Sequence, residues 1–168
     1  MNLYTDAMPR HSTDSDLDEH EASVLRRREE HGWFVNLIAE DESEPRFAYS
    51  FGLYEEFRHP EIIICGLPEE TMRQLINDVG ARVRSGTEYG AGDRTGDLIE
   101  GYTCMFRGVN PLRYDRTCTW AVWFYGNRSF PTLQLFWPDK QNRFPREPEF
   151  SEQLRHCQPD LSEPPASA

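Results

Sequence analysis

The 168-residue sequence predicts an α+β fold: a curved, mostly antiparallel sheet of five or six strands, packed by one main helix over 68–85 and by a second helix near the N-terminus. Three observations carry this expectation. Several short segments alternate apolar and polar residues or are rich in β-branched ones. The segment 68–85 places its apolar residues at helical spacing. The first two strand-like segments are joined by a short polar link that suits an antiparallel hairpin.

Taken in order, residues 1–15 are polar and read as a flexible N-terminus. A helix is predicted from Asp16 to His31, with Ser15 and Asp18 as a capping start and Gly32 just past its last turn. Segment 33–40 (WFVNLIAE) alternates and reads as a strand, and 46–53 is its hairpin partner across the turn DESEP. Residues 54–60 leave the sheet, and Pro60 holds His59 extended. Segment 61–67 (EIIICGL) reads as a central strand.

The main helix follows at once. Pro68 suits its first turn, Glu69 and Glu70 complement its dipole, and Met72, Leu75, Ile76, Val79 and Val83 form one stripe. The Gly-rich segment 86–97 reads as a flexible connection or as a lid. Its G-x-G-x-x-x-G spacing, placed after a helix, does not fit a dinucleotide loop. Segment 101–110 is a strand. Segment 117–125 (TCTWAVWFY) has helical spacing and strand-forming aromatics together, with Gly126 able to stop a helix. Segment 130–137 (FPTLQLFW) is a strand. The domain is expected to span 16–150. Residues 151–168, with Pro159, Pro164 and Pro165, read as a disordered acidic tail.

The net charge of −11 argues against general nucleic-acid binding and against docking on anionic membranes. It suits a basic protein partner, or simply a soluble surface. No signal-like or membrane-length apolar run is present, so a soluble, cytoplasmic protein is expected. Cysteines 65, 104, 118 and 157 form no CxxC pair. Only Cys157 stands close to a histidine, His156, so no metal site is expected.

Candidate chemistry is confined to few residues. Ser50, His59 and Asp139 have the composition of a hydrolase triad, but AYSFG is not a nucleophile elbow. His59, fixed by Pro60 beside Glu61, reads either as a general acid or base or as an imidazole that holds its loop by a backbone hydrogen bond. Asp139, just after Trp137-Pro138, reads either as a turn cap or as a group projecting into a pocket.

The same residues carry a family resemblance. HGW (31–33), YSFGL (49–53), HPEIIICGLP (59–68), the helix after it and LQLFWPDKQNRFP (133–145) resemble the bacterial and phage domain-of-unknown-function family numbered four-two-six-two, over roughly 16–150. That family's pattern has Tyr-Thr where this chain has Tyr49-Ser50, which keeps a hydroxyl. After WPD it often has Gly and then Pro-Trp, where this chain has Asn142 and Pro145-Arg146. The resemblance implies kinship without an activity. The arrangement is also similar, at the level of fold alone, to small antiparallel barrels such as the flavin-binding split barrels.

Three functions are open on these grounds, and neither a cofactor nor an oligomeric state is specified. One is a small-molecule or cofactor-binding protein, with or without catalysis, whose aromatic pocket at the sheet rim gathers Tyr49, Ser50 and Trp137 with His59, Glu61 and Asp139. It rests on placing His59 and Asp139 at one rim. Another is an acidic accessory protein that binds a basic partner. The third is a structural role through an aromatic patch around Trp120 and Trp123.

Overall fold

The computed structural model describes residues 17–167. The predicted Ser15 start of the first helix and the N-terminal segment lie outside them. Helix α1 (Glu19–His31) begins at Asp18, whose side chain accepts from the Glu21 N–H while the Glu21 carboxylate accepts from the Asp18 N–H. This reciprocal pair satisfies two end donors. Gly32 closes the helix at φ 90°, a conformation glycine adopts without cost.

Strands β1 (Phe34–Ile38) and β2 (Phe47–Phe51) form the expected hairpin, with Asn36 opposite Tyr49. A short helix α2 (Leu53–Phe57) leads to β3 (Glu61–Cys65), which is antiparallel to β2 and buried along its length. Helix α3 (Glu69–Arg84) buries Met72, Leu75, Ile76, Val79 and Val83, the stripe its spacing predicts. Each such side chain contributes about 1.5–3 kcal/mol of burial.

Strands β4 (Arg94–Ile99) and β5 (Tyr102–Gly108) pair antiparallel. Two short helices follow, α4 (Tyr114–Thr117) and α5 (Thr119–Tyr125), and then β6 (Thr132–Phe136). The ambiguous 117–125 segment is thus helical. Ala121, Phe124 and Tyr125 face inward, and Gly126 stops the helix at φ 69°. Trp120 and Trp123 are half-buried and meet edge to face at 5.1 Å, and His20 lies against Trp120.

The sheet order is β1-β2-β3-β6-β5-β4. Every neighbouring pair is antiparallel except β3–β6, which is parallel. The sheet is mixed and open, with β1 and β4 as free edges, so the likeness to closed barrels does not hold. One face packs α3 against Ile62, Ile64, Phe106, Leu133 and Leu135. The other packs α4 and α5, with Val24 of α1, against Tyr49, Phe51 and Ile63.

Two expectations are corrected. Much of 86–97 is neither lid nor free connection. The Gly92 N–H donates to the Phe106 carbonyl, the Phe106 N–H donates to that of Asp93, and Tyr89 stacks on Phe106 at 4.6 Å. Its later residues form β4. Residues 151–167 are not disordered either. The Gln158 amide holds both the N–H and the carbonyl of Trp137, and the Gln134 amide holds Pro159 and Leu161. Proline content had suggested disorder, but these amide clamps and the buried Leu161 tie the segment to β6.

Candidate functional site

Glu61 opens β3 and is fully buried. Its Oε1 accepts from the N–H groups of Gly52, at 2.9 Å, and Tyr54, at 3.1 Å, and from the Tyr125 hydroxyl. Its Oε2 accepts from the Ser50 hydroxyl at 2.6 Å. The donor directions are fixed from outside. Ser50 Oγ already accepts from the Ile62 N–H, and the Tyr125 hydroxyl oxygen accepts from the N–H groups of Gly52 and Glu55. Both hydroxyl protons are thereby free to point at the carboxylate. Burial pushes the Glu61 carboxyl above its ordinary pKa, and the hydrogen bonds from Ser50, Tyr125, Tyr54 and Gly52 offset part of that push. Burial likewise pushes the Tyr125 phenol up, with the Glu61 charge adding to it.

His59 is also internally committed. Its Nε2 accepts from the Tyr89 N–H at 3.1 Å, so the proton sits on Nδ1 and donates to the Pro60 carbonyl at 2.8 Å. Burial lowers its pKa, which keeps the ring neutral. Asp139 Oδ1 accepts from the N–H groups of Gln141 and Arg143, and Oδ2 from the Arg143 guanidinium at 2.9 Å. Burial opposes its ionisation, but those N–H groups and the guanidinium outweigh it and hold the carboxyl below its usual range.

The structure brings Ser50 and Glu61 together and leaves His59 and Asp139 apart from them in hydrogen bonding. Glu61 lies opposite Thr132 at the start of the parallel pair β3–β6, whereas Asp139 lies beyond Phe136 at its far end. Roughly 13 Å of strand separates the two ends. Tyr49 and Trp137 are spoken for as well. The Tyr49 hydroxyl accepts from Asn36 and from the Trp120 N–H, each at 3.0 Å, and Trp137 Nε1 donates to the Cys65 carbonyl at 2.8 Å. Burial pushes the thiols of Cys65 and Cys118 up to about 12 and that of Cys104 to about 11, so they are inert as nucleophiles.

Residues 28–151 match the family described as Domain of unknown function (DUF4262). The chain belongs to that family. Among curated proteins and solved structures there is no significant match. The DUF4262 signature residues now have physical roles. Ser50 supplies the hydroxyl that grips Glu61. Asn142 occupies the left-handed region at φ 58°. Arg146 reaches Asp160 and Glu163. Among the described residues no helix is long and apolar enough to cross a membrane.

One concavity is not internally saturated. A groove of about 470 Å³ runs over the free edge of β1, between one stripe of α1 and one stripe of α3. Arg27 and His31 stand at i and i+4 on α1. Arg73, Asn77, Ala81 and Arg84 stand at i, i+4, i+8 and i+11 on α3. Trp33, Phe34 and Val35 complete the lining. Trp33 packs so closely on α3 that a Cβ at Gly80 would sit 2.5 Å from its ring. Its Nε1 donates to Asn77 Oδ1 at 3.0 Å, and the Arg84 guanidinium lies 4.6 Å over its ring. Sequence reading missed this groove. Both stripes are visible as helical spacing, but nothing in the sequence says that α1 and α3 flank the same strand.

Proposed function

We propose that this DUF4262 protein is a binding protein, not a catalyst, and that its ligand is a small molecule seated in the groove between α1 and α3. One observation carries the reading. The groove has the size of a small-molecule site and an aromatic and apolar floor with polar walls, while the candidates at Glu61, His59 and Asp139 already spend their polar atoms on their own neighbours. A pocket at the sheet edge thus keeps the aromatic-lined character expected from sequence, with Trp33 in the place given to Trp137.

The test is a thermal-shift screen of purified protein against neutral, anionic and cationic aromatic compounds, followed by tryptophan fluorescence. Hits should raise the melting temperature, and Gly80→Ala, which displaces Trp33, should abolish them. Hits that survive Gly80→Ala, or a screen with no hits, would overturn the reading. The net charge of −11 favours a second reading, an acidic surface that docks a basic protein. Its signature would be pull-down of a basic partner that is lost in high salt.

A further inference from the structure

Resting on that reading of the groove, we infer that its ligand is an organic oxyanion, a carboxylate or phosphate ester carried on a flat apolar body. The chain has 29 acidic against 18 basic residues, yet among the described residues the lining of this groove holds three arginines and a histidine and no carboxylate. A cleft of one charge sign focuses its field toward an ion of the other.

The directions of the polar groups argue further. Asn77 Oδ1 is occupied by the Trp33 indole, which leaves the Asn77 NH₂ to donate. The His31 carbonyl is occupied by the Arg84 guanidinium. Among the described residues Arg73 is held only by Glu70 at 3.5 Å, in a pair exposed enough to contribute little. Arg27 has no ion-pair partner among the described residues. The side-chain polar groups left over from Arg27, Arg73, Arg84 and Asn77 are therefore all donors. A surface of donors calls for a ligand rich in acceptor oxygens, and guanidinium suits the two-oxygen geometry of carboxylate and phosphate.

A second hollow in the same molecule shows what such arginines look like when satisfied. It measures about 250 Å³ and is lined by Arg94, Arg107 and Arg146. There Asp160 places its carboxylate between Arg107, at 3.0 Å, and Arg146. Arg28 on α1 is met in the same way by Glu55 and Glu56. The groove has the guanidinium groups and lacks the internal carboxylate. Trp33, Phe34, Val35 and Ala81 supply an apolar floor that inorganic phosphate alone would not cover.

The experiment titrates the full chain with phenyl phosphate, benzoate, inorganic phosphate and neutral benzyl alcohol, followed by tryptophan fluorescence and calorimetry. Concentrations run to about 10 mM, above the roughly 1 mM dissociation constant expected of fragments this small. Phenyl phosphate or benzoate should bind at least about tenfold more tightly than benzyl alcohol, with affinity that falls as salt rises. Whichever of the two binds better identifies the oxyanion. The double variant Arg27→Gln/Arg73→Gln should lose that binding while its melting temperature without ligand stays unchanged. Benzyl alcohol binding as tightly as the anions would overturn the oxyanion and leave the small-molecule groove standing. No binding by any aromatic probe would remove both. Anion binding unchanged in the double variant would also overturn the assignment.

Discussion

Glu61 and Arg27 are both ionisable side chains with no opposite charge against them among the described residues, and the molecule treats them in opposite ways. Around Glu61 two hydroxyls and two backbone N–H groups converge on one buried carboxyl, so every donor in reach is used. Around Arg27 the donors of three arginines and an amide face an open groove with no carboxylate among the described side chains that line it. The difference teaches where to look for function. A saturated polar network specifies a fold, because each member is costly to remove. An unsaturated one at the surface carries no such duty and is free to meet something from outside.

The largest effect expected from breaking this contrast is at Glu61. Glu61→Ala strands the Ser50 and Tyr125 hydroxyls and two N–H groups in the core, a loss of about 3 kcal/mol or more in urea unfolding. Glu61→Gln keeps one acceptor oxygen and should cost about 1–3 kcal/mol. Neither change should reach the groove, so ligand binding by the folded fraction should be intact. Next in size is Gly80→Ala. The added methyl meets the Trp33 ring at 2.5 Å, and overpacking of this kind costs about 1–3 kcal/mol. Unlike the Glu61 variants, it should also disturb the groove floor. A Glu61 variant that lost binding as completely as Gly80→Ala would dissolve the distinction between the two regions.

Much of the fold was legible because local signals agreed with one another. The α3 stripe, the β1–β2 hairpin and the β-branched run of β3 each state their structure in a few residues. What was not legible depends on distant partners. Strand β4 (RTGDLI) is too polar and glycine-containing to announce itself, and it becomes a strand because β5 offers it an edge. Gln158 and Leu161 look like tail residues until β6 receives them. The site suffered most from the parallel β3–β6 pairing. His59 and Asp139 each flank a strand, but one precedes β3 and the other follows β6. In a parallel pair those are opposite ends.

The smaller effects are electrostatic, and two buried groups should tilt stability in opposite senses. His59 has a lowered pKa when folded, so the unfolded chain takes up its proton first. Its contribution is full above about pH 6.5 and is lost as pH falls through the folded value, with a slope of at most about 1.4 kcal/mol per pH unit. Glu61 has a raised pKa, so its contribution is full below the ordinary carboxylate value and is lost as pH rises through the folded value. Unfolding of the parent protein and His59→Gln between pH 7.5 and 5.5 separates them. The variant should be less stable at pH 7.5, and its deficit should shrink toward pH 5.5. A deficit independent of pH would mean that burial does not hold His59 neutral.

The smallest change in stability is expected where the functional effect is greatest. Arg27→Gln and Arg73→Gln remove charges that no described residue depends on, apart from the exposed Glu70 pair. Each should shift unfolding by no more than about 0.5 kcal/mol. Arg84→Gln is the informative control. Its guanidinium rests on Trp33 and holds the His31 carbonyl, so this variant should lose stability measurably, by about 1 kcal/mol. The comparison thus runs within the groove itself: the arginine that touches the fold should cost stability when replaced, and the two that do not should cost only affinity. Equal destabilisation by all three would make the groove another structural network, of the same kind as the one around Glu61.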